Sequence, residues 1–238
     1  MRIIRNDNSF TVDDFAWNRN KYQYKKFSRQ EENGQRTYNV DNKKIPSVTT
    51  ILSATKSQED IDSLRRWRDR IGNEAARKTT IDAARRGTEM HYVLEQYING
   101  QGYFNLSEEG AKARLMAHKI IENMQVLEII YGNEVSLHYE ELYAGATDLI
   151  GIHGGKPTII DFKQSNKLKQ RNYVEDYYYQ IAAYALAHEK NYGPIDKGLI
   201  AICTKDLVYQ EFILDKDDLK RYKDKWIQRV EQFNRAKL

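Results

Sequence analysis

The chain has 238 residues, 40% of them hydrophobic and 30% charged, with a net charge of +4. That length suits one domain with insertions, or a domain with a small added lobe, and no apolar run approaches the ~20 residues that a membrane-spanning helix needs. One cysteine, Cys203, excludes an internal disulfide and any four-cysteine zinc or iron–sulfur centre built by this chain alone. The first residues carry no long apolar stretch of the secretory kind, so the expected compartment is cytoplasmic, in a cell or, for a viral protein, in its host. The mildly basic charge is compatible with a polyanionic partner without requiring one. The 17 tyrosines could stack on bases or simply pack half-buried.

Residues 1–55 alternate in short segments and read as a β-rich N-terminal lobe. Within it, residues 37–40, the turn pair Asp41-Asn42 and residues 45–52 predict a hairpin that runs into a helix. The remainder, 56–238, reads as the main domain with a helical insertion. Ser57 and Asp60 form a capping-box pattern, and Ile61, Leu64, Trp67 and Ile71 follow a helical stripe. Arg65, Arg66, Arg68 and Arg70 crowd its other positions, as a phosphate track or as a solvated face. A second helix is predicted over 73–98, with Ala84, Gly87, His91, Leu94 and Ile98 near one face. A third is predicted over 108–131, capped by Ser107, ended by Gly132, and facing inward with Leu115, Ile120, Met124, Leu127 and Ile130.

The period then changes to two. Residues 135–142, 146–152 and 158–163 read as strands, the last two joined by the turn His153-Gly154-Gly155-Lys156-Pro157. A helix follows over 173–190, then strands over 199–203 and 207–214, then a final helix opened by Asp215 and Asp218 and ending near Ala236. The order predicts an α/β (α+β) fold with a central mixed sheet flanked by helices.

The chemistry concentrates in Gly145-Ala146-Thr147-Asp148 and Ile159-Ile160-Asp161-Phe162-Lys163. Carboxylates among apolar strand residues are costly unless paired or bound to metal. Asp148 and Asp161 on adjacent antiparallel strands can converge on one cation. Asp161 and Lys163 are two apart and share a sheet face. Carboxylate oxygens suit Mg²⁺ or Mn²⁺, such a cation activates water and offsets phosphate charge, and an adjacent ammonium stabilises the transition state. Taken alone, Asp-x-Lys is equally an exposed ion pair at a strand end. On the preceding helix, Gly87, His91 and Glu95 are each four apart, and on the following one Gln180 and Tyr184 share a face. Taken singly, His91 reads as a satisfied, partly buried histidine, and Gln180 with Tyr184 as an amphipathic face.

The ordered set Gly87-x3-His91, Gly145-x2-Asp148, Asp161-x-Lys163 and Gln180-x3-Tyr184 resembles the RecB-type branch of the PD-(D/E)XK nucleases. Within it, the likeness is to phage exonucleases and the mitochondrial genome maintenance exonuclease group, and Ile45 to Leu52 is similar to an N-terminal segment of that group. The resemblance covers about residues 45–190. It implies a restriction-endonuclease-like core and a metal-dependent deoxyribonuclease that trims DNA ends in repair, recombination or replication. His91, Asp148, Asp161 and the Phe162 carbonyl would ligate Mg²⁺ or Mn²⁺, and Asp148, Asp161 and Lys163 would form the catalytic set, with Lys163 positioning or activating the attacking water. Gln180 and Tyr184 would brace the site or touch the backbone of the DNA, with Glu95 beside them.

Two departures stand out. Thr147 replaces the motif's proline, as is usual in this branch, and Gln164 follows Lys163 where a small hydroxyl residue is common. The four cysteines of some relatives are absent, so no iron–sulfur cluster is implied. Lys167, Lys169 and Arg171, leading to Tyr173, Tyr177, Tyr178 and Tyr179, are the expected strand contacts, or else a solvated loop. Two rival readings remain. One is a nuclease fold that binds DNA without cutting it. The other is a phosphohydrolase acting on a small molecule, for which no P-loop-type glycine loop is present. Strand polarity, strand preference, protein partners and oligomeric state are not encoded in these motifs.

Overall fold

The computed structural model of the chain describes residues 15–103 and 105–236. In chain order its elements are β1 (Ala16–Trp17), β2 (Ser28–Glu32), β3 (Gln35–Val40), β4 (Lys43–Pro46), α1 (Val48–Ala54), α2 (Gln58–Ile71), α3 (Asn73–Ile98) and α4 (Glu108–Glu122). They continue with β5 (Leu127–Tyr139), β6 (Tyr143–His153), β7 (Lys156–Ser165), a 3₁₀ turn (Arg171–Val174), α5 (Glu175–Asn191), β8 (Lys197–Thr204), β9 (Tyr209–Leu214) and α6 (Lys216–Arg235).

Local chemistry fixes most of these boundaries. Asp41 and Asn42 both take positive φ, the geometry of a two-residue hairpin turn, between β3 and β4. Gly154 and Gly155 do the same between β6 and β7, placing His153 opposite Lys156. The Ser47, Ser57, Ser107 and Asp215 side chains each accept an N–H from the first turn of a helix.

Strands β5, β6 and β7 pair antiparallel, α5 carries the chain over to β8 parallel to β7, and β9 pairs back on β8. With β1 parallel to β5, the result is a mixed six-stranded sheet, β1-β5-β6-β7-β8-β9. Its central strands are buried on both faces, which is why β8 reads as the unbroken apolar run Leu199-Ile200-Ala201-Ile202-Cys203. On one face Met90, Leu94, Met116 and Ile120 from α3 and α4 pack on Leu149, Ile160 and Phe162. On the other, Ile51, Ile181, Ala183 and Trp226 from α1, α5 and α6 pack on Ile150, Ile159 and Ile200. Each such large side chain taken fully out of water stabilises the fold by about 1.5–3 kcal/mol.

Residues 1–14 of the expected N-terminal lobe lie outside the described residues. Of the rest, β2, β3 and β4 form a separate three-stranded sheet, while β1 joins the main sheet and α1 packs into its core.

The third helix is shorter than its predicted span. It stops at Glu122, where the Asn123 side chain bonds the Lys119 carbonyl, and residues 127–131 are strand. Leu-Glu-Ile-Ile-Tyr is β-favouring, and pairing with β6 decides it. Met124, Leu127 and Ile130 are indeed buried, but outside the helix, and Met116 faces inward in place of the exposed Leu115. Helix α2 has no buried residue. Ile61, Leu64 and Ile71 stay exposed along with the four arginines. Among the described residues no helix is long and apolar enough to cross a membrane.

Candidate metal centre

The ladder between β6 and β7 ends at the pair Leu149–Ile160. The next residues along, Asp148 and Asp161, face each other where the strands part. There Asp148 Oδ2 accepts the Phe162 N–H at 2.5 Å in place of a ladder partner. Both aspartates are buried, at 8% and 1% exposure, where an unpartnered charge is expensive. Lys163, two residues along β7, presses its ammonium against Asp161 Oδ2 and lies 5.2 Å from the Tyr177 ring centre. Apart from that ammonium, Asp161 Oδ2 has no hydrogen-bond partner. Phe162 anchors its ring in the core beneath.

Helix α3 brings His91 to the pair, with Nδ1 3.2 Å from Asp148 Oδ1. Its close approach depends on Gly87, where a Cβ would meet Gln164 Cγ at 3.3 Å. Gln164 in turn donates to the Ala83 carbonyl at 2.9 Å and accepts from Arg86 Nε at 2.9 Å. The residue that departs from the family pattern therefore clamps α3 to β7 one turn from His91. From the other side, α5 supplies Gln180 and Tyr184, whose side chains are hydrogen-bonded at 3.1 Å. A Cβ on Gly145 would lie 2.6 Å from the Tyr184 ring, so glycine is required there for the tyrosine to reach the site.

One site residue was not singled out from the sequence. Glu134, at φ 52° in β5, sits between the pairs Asn133–Leu149 and Val135–Thr147 and so across from Asp148. Ligand atoms of His91, Glu134 and Asp148 all lie within 4.8 Å of one another. Like charges placed across a sheet destabilise it, which marks this row as a feature kept for binding. A strand reading begun before Gly132, in place of a helix stop there, would have exposed it.

The electrostatics follow from burial and crowding. Burial alone would raise Asp148, but His91, Lys163 and the Phe162 N–H hold it below the usual carboxylate range. Burial pushes Asp161 up, with Lys163 opposing and Asp148 adding to the rise. Burial disfavours the Lys163 charge, yet Asp161 and Asp148 keep its pKa above the ordinary lysine value. His91 is raised in the same way: Asp148 outweighs desolvation. Loss of solvent and then Asp148 lift Glu134 to about 7. Its side chain still meets water in the open cavity, which tempers that penalty.

These groups line a cavity of about 690 Å³ together with Glu95, Gln180 and Tyr184. Lys167, Lys169 and Arg171 are not among its walls. Lys169 bonds its backbone to Gln210, and Arg171 pairs with Asp218 at 3.0 Å. In their place the cavity has Arg29, Arg36 and Tyr38 from the small sheet and Tyr177 from α5. The donor set fits a hard divalent cation: carboxylate oxygens and one imidazole, with a buried aspartate oxygen met only by an ammonium.

The sequence pattern of the PD-(D/E)XK nuclease superfamily matches residues 51–237. The chain is 30% identical over 208 residues to Mitochondrial genome maintenance exonuclease 1 of Xenopus tropicalis, covering 81% of this chain and 58% of that protein. To the Homo sapiens protein of the same name it is 28% identical over 209 residues, covering 81% and 59%. The chain thus spans less than two thirds of the length of either relative.

Proposed function

This chain belongs to the PD-(D/E)XK nuclease superfamily, and from that premise we propose that it is a divalent-metal-dependent DNA nuclease acting at strand ends. The observation that carries the reading is the row Glu134, Asp148 and Asp161 across β5, β6 and β7, where β6 and β7 part, with His91 on one side and Lys163 on the other. His91, Asp148 and Asp161 would hold the cation, Mg²⁺ or Mn²⁺, with the Phe162 carbonyl as a further ligand. When bound, it supplies Lewis acidity toward the phosphate and the attacking water.

The chain's own residues do the rest. Lys163, held charged beside Asp161 in this structure, is placed to orient or activate the attacking water and to meet the growing charge on the phosphate oxygens. As water adds to phosphorus it gives up a proton to solvent, the bond to the leaving oxygen breaks, and that oxygen takes up a proton from solvent. Tyr184, whose hydroxyl is raised well above its ordinary pKa by burial, remains a neutral donor held by Gln180. Glu95 closes the α3 wall. The exonucleolytic mode and roles in repair, recombination or replication belong to the same proposal, supported by the names of the relatives and by the sequence motifs. A cytoplasmic-type compartment rests on the sequence reading alone, whereas the relatives are named as mitochondrial proteins.

The test is cleavage of end-labelled single- and double-stranded oligonucleotides with Mg²⁺, Mn²⁺ or EDTA, alongside Lys163→Ala and Asp161→Ala. Metal-dependent products absent from both variants are expected. A folded protein that binds oligonucleotides and leaves them intact would point to the binding module instead.

A further inference from the structure

An acidic centre repels the phosphates that flank the one being cut. A cation at the centre offsets charge at one phosphate only, so a strand seated in this cavity needs basic groups on its walls. The loop cations expected for that work lie outside the cavity. Arg29 and Arg36, from β2 and β3, lie within it.

Their placement is built into the small sheet. Arg29 stands opposite Tyr38, and Arg36 is two residues from Tyr38 on β3, so all three share one face. Tyr38 is buried at 5% and packs with Ile45 against Ala144, which turns that face toward the site. The Arg36 backbone is held at both ends: its N–H donates to Thr50 Oγ1 at 3.0 Å, and its carbonyl accepts from Ser47 N at 2.9 Å and from Thr50 Oγ1 at 2.8 Å. Ser47 in turn bridges to Ala144, next to Gly145 of the site.

The guanidiniums are only partly engaged. Arg36 Nε is buried without a partner, and its one ion pair among the described residues is to Glu31, at 3.6 Å and 56% exposed. Arg29 lies beside Tyr38 across the β2–β3 pair. Two planar forks on a rigid wall suit a phosphate diester.

We propose that Arg29 and Arg36 form a subsite for the phosphate adjacent to the scissile one, making the three-stranded sheet the substrate-positioning wall. This rests on the nuclease reading and deepens it: the substrate must be a nucleic-acid strand with a second phosphate, not a small phosphorylated molecule.

The experiment uses oligonucleotides carrying one neutral methylphosphonate linkage, stepped along the strand from the cleaved end. Wild type, Arg29→Ala, Arg36→Ala, the double variant and Lys44→Ala are compared. Lys44 lies on the same small sheet, paired with Glu32 at 2.6 Å and outside the cavity, so it controls for charge alone. At one linkage, neutralisation raises the wild-type KM about tenfold. The double variant shows a similar rise on natural DNA, with kcat within about twofold, and no further rise at that linkage. Lys44→Ala behaves as wild type.

A double variant with wild-type KM, or one that remains fully sensitive to the neutral linkage, overturns the proposal. Arg29 is exposed, so Arg29→Ala is expected to fold even if Arg36→Ala does not. Metal-free binding of the same oligonucleotides, read by anisotropy, separates the two failures. A wild type that binds without cutting sinks the nuclease reading, and the arginine subsite is then judged on Kd. A wild type that neither binds nor cuts sinks both.

Discussion

His91 and His188 occupy helices on opposite faces of the same sheet, and their surroundings differ in kind. His188 is fully buried among Tyr22, Tyr24 and Tyr192. Its Nδ1–H reaches the Gly193 carbonyl at 2.7 Å, which leaves Nε2 to accept from the Tyr24 hydroxyl at 3.0 Å. Both nitrogens are satisfied by neutral partners, and burial pushes the ring's pKa down. His91 meets Asp148 at 3.2 Å on the wall of an open cavity crowded with carboxylates, and its pKa is pushed the other way. A buried histidine with a complete neutral shell supports the fold. One whose neighbours are unresolved charges points to a group that arrives later, here a cation and a phosphate.

The comparison can be broken at several strengths. The largest effect belongs to the cavity: Lys163→Ala is expected to slow cleavage about a thousandfold per folded molecule. His188→Ala should do the reverse. It is expected to lose about 2–4 kcal/mol of stability through a cavity and two lost hydrogen bonds, with activity per folded molecule preserved. Denaturant melts and active-site titration together separate these outcomes.

A third test is metal itself. Mn²⁺ at about a hundred times its Kd should stabilise the wild type by about 2.7 kcal/mol. His91→Ala should show a much smaller shift, and His188→Gln, if it folds, the full one. An equal shift in His91→Ala would remove the histidine from the ligand set.

The smallest effects are in pH. Glu134 has a folded pKa raised from 4.5 to about 7, so the folded state holds its proton more tightly than the unfolded one. In EDTA the stability linked to Glu134 is present below about pH 4.5 and is lost as the pH rises through about 7. Glu134→Gln should flatten that loss. His188 contributes with the opposite sign. Its folded pKa lies below the ordinary 6.5, so the stability linked to it is complete above that value and falls as the pH drops below it. Melts from about pH 4.5 to 7.5, for wild type and Glu134→Gln with and without Mn²⁺, resolve the two slopes.

What was legible in the sequence was what local chemistry dictates. The glycine pair after His153 fixed the turn between β6 and β7, Ser57 and Asp215 announced helix starts, and the spacing of Asp161 and Lys163 put both on one face. Gly87 and Gly145 stand in the motifs, but the groups they admit, Gln164 and Tyr184, emerge only once three elements are docked. Glu134 was hidden because its placement depends on register across an irregular strand and on one residue with positive φ. The end of α4 was misplaced because residues 127–131 suit either period until β6 pairs with them. Arg29 and Arg36 lie far along the chain from the motifs, and only the folding of the small sheet onto β6 brings them to the cavity.

The most direct measurement of the central claim is Mn²⁺-dependent cleavage of an end-labelled single-stranded oligonucleotide by wild type and Asp161→Ala in parallel, with folding verified by thermal melting. The account predicts products from the wild type with metal, none with EDTA, and none from Asp161→Ala under either condition. Cleavage that survives in Asp161→Ala, or that proceeds in EDTA, would contradict the assignment of this cavity as the metal-dependent catalytic centre.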